Sequence, residues 1–232
     1  MNRATRIHEP SQPPERARIR LATALLVVVA LLNAAVTYGE DVNSTADDGA
    51  AGTLRVAIDA ANASAGSSTI RILVGNDQTI TLAADPVAEP PRPLPIGITQ
   101  PLTIDANSSL GLTLTRIASS GDSFNLTADT TFVDVAHFTN GGISVGSGVD
   151  LTLNQSSQAG EISSVLSGSG ALTKDGTNTL TLSGTNSWSG GTIIKGGELV
   201  ITTGNSLPKS SAGGIADVTV KQDGTLNFTN TS

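Results

Sequence analysis

The sequence predicts an all-β chain, a right-handed parallel β-helix with a short capping helix at its N-terminal end, and three observations carry that prediction. From Ile70 onward apolar and polar residues alternate in short runs, the pattern of strands that bury one face. Gly, Asn, Asp or Ser interrupts the alternation about every eight to twelve positions. The composition agrees, since 25 glycines and only 3% aromatic residues suit short strands and frequent turns. Strands this short are too small for the deep sheets of a large sandwich, and the single tryptophan, Trp188, offers no Trp-centred sandwich core. A coil stacked rung upon rung needs few inward side chains per rung and pairs similar strands in register.

The elements follow in order. Residues 1–39 read as a signal-peptide helix: Arg3, Arg6, Arg16, Arg18 and Arg20 precede the apolar run 21–36, which gives way to Ala34, Ala35, Thr37 and Gly39. Cleavage is expected between Ala34 and Glu40. An uncleaved anchor is the competing reading, but a spanning helix wants about 20 apolar residues and this run supplies about 16. No Arg-Arg pair points to the twin-arginine route, so Sec export is expected. No second apolar stretch of spanning length follows position 40, so no membrane span is expected after cleavage.

Residues 40–75 are expected to cap the β-helix. Leu54, Ala57, Ile58 and Ala61 recur at helical spacing, with Thr53 placed as N-cap. An amphipathic helix there would close the open edge of the first rung. Coils are expected over 76–167, with strands at 80–82, 102–104, 112–114, 132–135 and 151–153. Within them Pro86, Pro90, Pro91, Pro93 and Pro95 cannot join a ladder, so 85–95 must loop out. The last segment, 168–232, carries strands at 180–182, 192–194, 199–201 and 226–228.

Charge and residue inventory limit the chemistry. The chain carries a formal charge of -7, and beyond residue 39 there remain 8 basic and 18 acidic side chains, a net of about -10. Such a surface supplies no phosphate contacts, so no nucleic-acid partner is expected. With no cysteine and two histidines, no disulfide, thiol chemistry, metal site or cofactor is expected. Ser123 beside Asp122, with His137 downstream, has the residue types of a nucleophilic triad, but no G-x-S-x-G elbow surrounds Ser123. A turn between rungs, with His137 on an outer face, accounts for all three. Asp105, Arg116, Asp122, Asp129 and Asp134 are the residues that a carbohydrate-active β-helix enzyme could use, yet their spacing does not stack them on one face. Gly146-Ser147-Gly148-Val149-Asp150 matches a calcium β-roll once, and a shared ion needs repeated copies. It reads as a turn, and no catalytic residue is assigned.

Two stretches resemble known families. Val42–Gly49 followed by residues 52–72, GTLRVAIDAANASAGSSTIRI, is similar to the opening of bacterial surface β-helix proteins, where a Leu-Arg-x-Ala-Ile-x-x-Ala-Asn helix caps the first coil; ITL at 80–82 and LPIGITQPLTIDA at 94–106 resemble their first rungs. Thr53 stands where that family often has Cys or Ser, and Val56 where it usually has Glu. Residues 168–201, GSGALTKDGTNTLTLSGTNSWSGGTIIKGGELVI, resemble the autotransporter-associated β-strand repeat, with Gly168, Gly170, Leu172, Lys174, Gly176, Thr179, Leu180, Leu182, Gly184, Asn186, Gly190, Gly191, Thr192, Gly197 and Leu199 in its positions and Trp188 at its aromatic one. The glycines are expected at turns needing positive φ, and Leu180, Leu182, Ile194 and Leu199 to point inward.

The resemblance implies an autotransporter passenger-type protein: an exported cell-surface or secreted β-helix module, structural or adhesive, without catalysis. Autotransporters usually end in a membrane barrel, and none is read after Ser232, so a periplasmic fate or a truncated passenger stays open beside the enzyme reading. The expected partner is a surface ligand, whether host matrix, glycan or like chains. The C-terminal end shows no evident cap, so marginal stability or self-association through the β-helix ends is expected.

Overall fold

The computed structural model describes residues 37–38, 41–84, 94–117, 121–202 and 217–229. The leader read over 1–39 therefore lies outside the described residues except for Thr37 and Tyr38, and the loop read over 85–95 lies outside them except for Leu94 and Pro95.

The described chain is a parallel β-solenoid whose strands fall on three faces. The first face takes β1 (Thr37–Tyr38), β2 (Ser68–Arg71), β5 (Leu102–Asp105), β8 (Thr130–Val133), β11 (Asp150–Asn154) and β14 (Ala171–Asp175). The second takes β3 (Thr79–Leu82), β6 (Thr113–Arg116), β9 (His137–Thr139), β12 (Gly160–Ile162) and β15 (Thr179–Leu182). The third takes β4 (Ile96–Ile98), β7 (Asp122–Leu126), β10 (Gly142–Val145) and β13 (Val165–Gly168). Then β16 (Thr192–Ile201) and β17 (Val218–Phe228) each run round a corner. Through β16 the first two faces join into one sheet.

Period-two patterning places one apolar side chain of every strand above its counterpart in the coil before. On the first face Ile70, Ile104, Phe132, Leu153, Lys174 and Ile194 share one register column. On the second face the column is Ile80, Leu114, Phe138, Ile162, Leu182, Ile201 and Phe228. On the third it is Ile96, Phe124, Ile143 and Leu166. All of these except Phe228 are buried, and burying one such apolar side chain stabilises by about 1.5–3 kcal/mol. Phe124, Phe132 and Phe138, one from each face of a single coil, meet edge-on across the core, with centroids 5.7 and 4.9 Å apart. Three rings fill that coil, where aliphatic side chains fill most of the others.

Before the first full coil lies α1 (Leu54–Ala63). Leu54, Ala57, Ile58 and Ala61 are buried as their spacing requires. Thr53 holds the N-cap position with extended backbone, but its hydroxyl donates to the Ala50 carbonyl at 2.9 Å and caps no helical N–H. Two further expectations shift in detail. The strand read at 132–135 ends at Val133, because Asp134 turns the chain with φ 52°. The strands read at 192–194 and 199–201 are one, β16, in which Gly197 at φ 63° turns the corner between the part paired with β14 and the part paired with β15.

Candidate functional surface

Residues 172–201 make one coil and the start of the next, β14 and β15 followed by β16. Leu172 and Lys174 share parity on β14, so both point inward, and Lys174 is fully buried between Leu153 and Ile194. Its Nζ curls to the corner and donates to the carbonyls of Asp175, Gly176 and Gly196 at 2.5, 2.9 and 3.0 Å. One ammonium thus ties two successive coils at their shared corner. Burial pushes its pKa down to about 8, opposed by the neighbouring Asp175 carboxylate.

After β15 the chain keeps to the third face without forming a strand there. Ser187 and Ser189 donate backbone N–H groups to Leu166 and Gly168 at 2.7 and 2.9 Å, and the Asn186 Oδ1 accepts from Leu166 N at 2.8 Å. Trp188 enters the core, with its Nε1 within 3.2 Å of the Gly191 carbonyl. A single indole fills the volume that a strand's inward residues supply in earlier coils. The glycines here serve two purposes. Gly176 adopts φ 77° as expected of a turn residue. Gly184 has no positive φ; a Cβ there would run into the Ser164 carbonyl, so close approach of coils requires it.

A shallow groove opens at the root of the Pro-rich segment. Leu82, Ala83, Ala84, Leu94, Arg116 and Ile117 enclose about 210 Å3, and Ile117 is 72% exposed. Arg116 is anchored by Nη1 to the Asp122 carbonyl at 2.7 Å, while among the described residues its Nε has no hydrogen-bond partner. The groove is apolar with one guanidinium at its edge.

The residues nominated for chemistry do not converge. Ser123 is buried on β7 of the third face, and His137 is exposed on β9 of the second. Asp105 accepts from Asn107 N at 2.9 Å, Asp129 from Asp150 N at 2.9 Å, and Asp134 from Ser156 N and Ser157 N, each at 2.8 Å. Asp129 and Asp134 close the two ends of one rung, β8, and Asp105 closes the end of β5 in the rung before it. Gly146–Asp150 is the turn between β10 and β11, closed by Val149 N to the Gly146 carbonyl at 3.2 Å.

Sequence reasoning missed three polar devices. Lys174 was legible as inward by parity with Leu172, but its charge argued against the core. Arg55 and Asp47 form a buried ion pair at 2.7 Å, and Asn62 spans Gly97 O and Thr99 N, both at 2.8 Å. Asp47 and Asn62 reach backbone partners 35 to 37 residues downstream in the first coil, and Arg55 reaches the Ala83 carbonyl 28 residues downstream, beyond any local pattern.

Residues 172–201 match the model of the passenger-associated transport repeat. No curated protein and no solved structure matches the chain. The repeat and the solenoid around it fit an autotransporter passenger-type protein.

Proposed function

We propose that this chain is an exported passenger module that works by display: a rigid β-solenoid holding loops and side-chain ladders toward a ligand outside the cell, with no chemistry of its own. The observation that carries it is the transport-type repeat at 172–201 stacked in register on a solenoid whose first coil is capped. In such a stack each coil contacts only its neighbours, so binding falls to extended faces and protruding loops. The groove beside Arg116 and Ile117, at the root of the Pro-rich segment, is the first surface to examine. The nominated carboxylates Asp105, Asp129 and Asp134 are engaged with backbone N–H groups at the corners of the first face, which supports display over polysaccharide turnover.

Export through Sec is part of the proposal and rests on the Arg-rich segment and apolar run of residues 1–39. The testing experiment is fractionation of a tagged full-length chain with mass determination of its N-terminus in each fraction. A processed chain on the cell surface or in the medium is the expected result. An unprocessed chain held in the inner membrane would overturn it.

A further inference from the structure

The first rung begins earlier than a leader spanning residues 1–39 allows. β1 pairs in parallel with β2, setting Thr37 opposite Ser68 and Tyr38 opposite Thr69. Further along the same edge, Asp41 accepts from both arms of the Arg71 guanidinium, at 2.9 and 2.7 Å. Val42 then sits opposite Ile72, its N–H donating to the Arg71 carbonyl at 2.8 Å and its carbonyl accepting from Leu73 N at 2.6 Å. The outer edge of β2 is thus covered at both ends by the chain that precedes α1. The compact unit that contains the solenoid starts at Val36.

We propose that export processing keeps β1: the leader is cut between Ala35 and Val36, ahead of the strand, and not after Gly39. This inference rests on the export reading and narrows its cleavage point. Hydrolysis there adds one water across the peptide bond, leaving a carboxylate on Ala35 and a free amine on Val36. A leader is cut where small residues follow the apolar run. The sequence offers them in two places, at Ala34 and Ala35, where the run ends, and at Thr37 and Gly39 just beyond. Composition around the cut leaves both open.

The ladder separates them. A cut after Gly39 would discard Thr37 and Tyr38 and take away the partner of Ser68 and Thr69, and an unpaired strand edge is a template for pairing with other chains. A cut after Ala35 leaves Val36 alone ahead of the strand, so the N-terminus of the processed chain closes the first edge. Of the two alanines, Ala35 has the polar Asn33 two positions before it, whereas Ala34 has Leu32, still within the apolar run. That favours the bond after Ala35.

The test is the N-terminal mass of the exported chain, read for the original full-length protein and for two single variants of it. The original should start at Val36. Gly39→Asp should leave that start unchanged, because it lies beyond the cut, and Ala35→Asp should abolish it, because a charged residue would stand immediately before the bond. A start at Glu40 that Ala35→Asp leaves in place and Gly39→Asp removes would overturn this inference while export itself stands; an unprocessed chain in every fraction would overturn both. The seating of β1 has its own readout. Replacing both strand residues, Thr37→Pro with Tyr38→Pro, removes their N–H donors from the ladder, so the exported double variant should melt a few degrees below the original. An unchanged melting temperature would mean that β1 does not hold the first edge, and the inference would fall with it.

Discussion

Lys174 shows how a single residue can decide the chemistry of a core. It occupies a column otherwise filled by Ile, Phe and Leu, and its three amine hydrogens reach three carbonyls. Replacing it with methionine keeps the volume but strands those carbonyls, so Lys174→Met should destabilise by about 1–3 kcal/mol at neutral pH. The pH dependence has a definite sign. The folded pKa, about 8, lies below the ordinary 10.5 of the unfolded chain, so between those values the unfolded state binds the extra proton and stability rises with pH. The gap between the original protein and Lys174→Met in urea melts should therefore widen from pH 8 to pH 10.5 and level off above. A gap that stays flat or narrows over this window would mean that burial does not hold the amine below its ordinary pKa.

At the scale of an element, the cap is held by polar side chains as much as by its apolar stripe. Arg55 and Asp47 are both almost wholly buried, and both also bind the backbone of Ala83. Removing one partner of a buried pair leaves the other uncompensated, so Asp47→Ala should destabilise the cap by about 3–5 kcal/mol. Because coils couple to nearest neighbours, the effect should be local. Hydrogen exchange is expected to accelerate at Ile70 and Ile80 while Leu182 and Ile201 keep their protection. The helix itself was legible in Leu54, Ala57, Ile58 and Ala61. Its anchors were not, because Asp47 is ordinary in sequence and gains meaning only when Ala83 is brought to it.

Across the whole molecule the coils are interchangeable where their lengths agree. In the second half, bonds between neighbouring coils join residues 20 to 25 apart, whereas in the first coil the insertion at the Pro-rich segment stretches that reach to 35 to 37. Excising Leu151–Ala171, one register repeat, should give a chain that still folds as β-structure with a lower melting temperature. Excising only 151–160 would shift every later strand onto another face, and that chain should fail to fold. Circular dichroism and thermal melts on the two deletions check both outcomes. The nominated triad and carboxylates were unreadable at this scale for a related reason: coil length decides which turn lies over which, and it varies along the chain.

By itself the sequence determined the period of the strands, the inward apolar positions and the helix before the first coil, since each is written in spacings shorter than one coil, and it carried the passenger-type repeat as a longer motif. The tertiary structure alone decided which polar residues are buried, which carboxylates build corners and which side chains stack in one column. Those depend on register between segments 20 or more residues apart, and register is settled only when every rung stacks on the one before it.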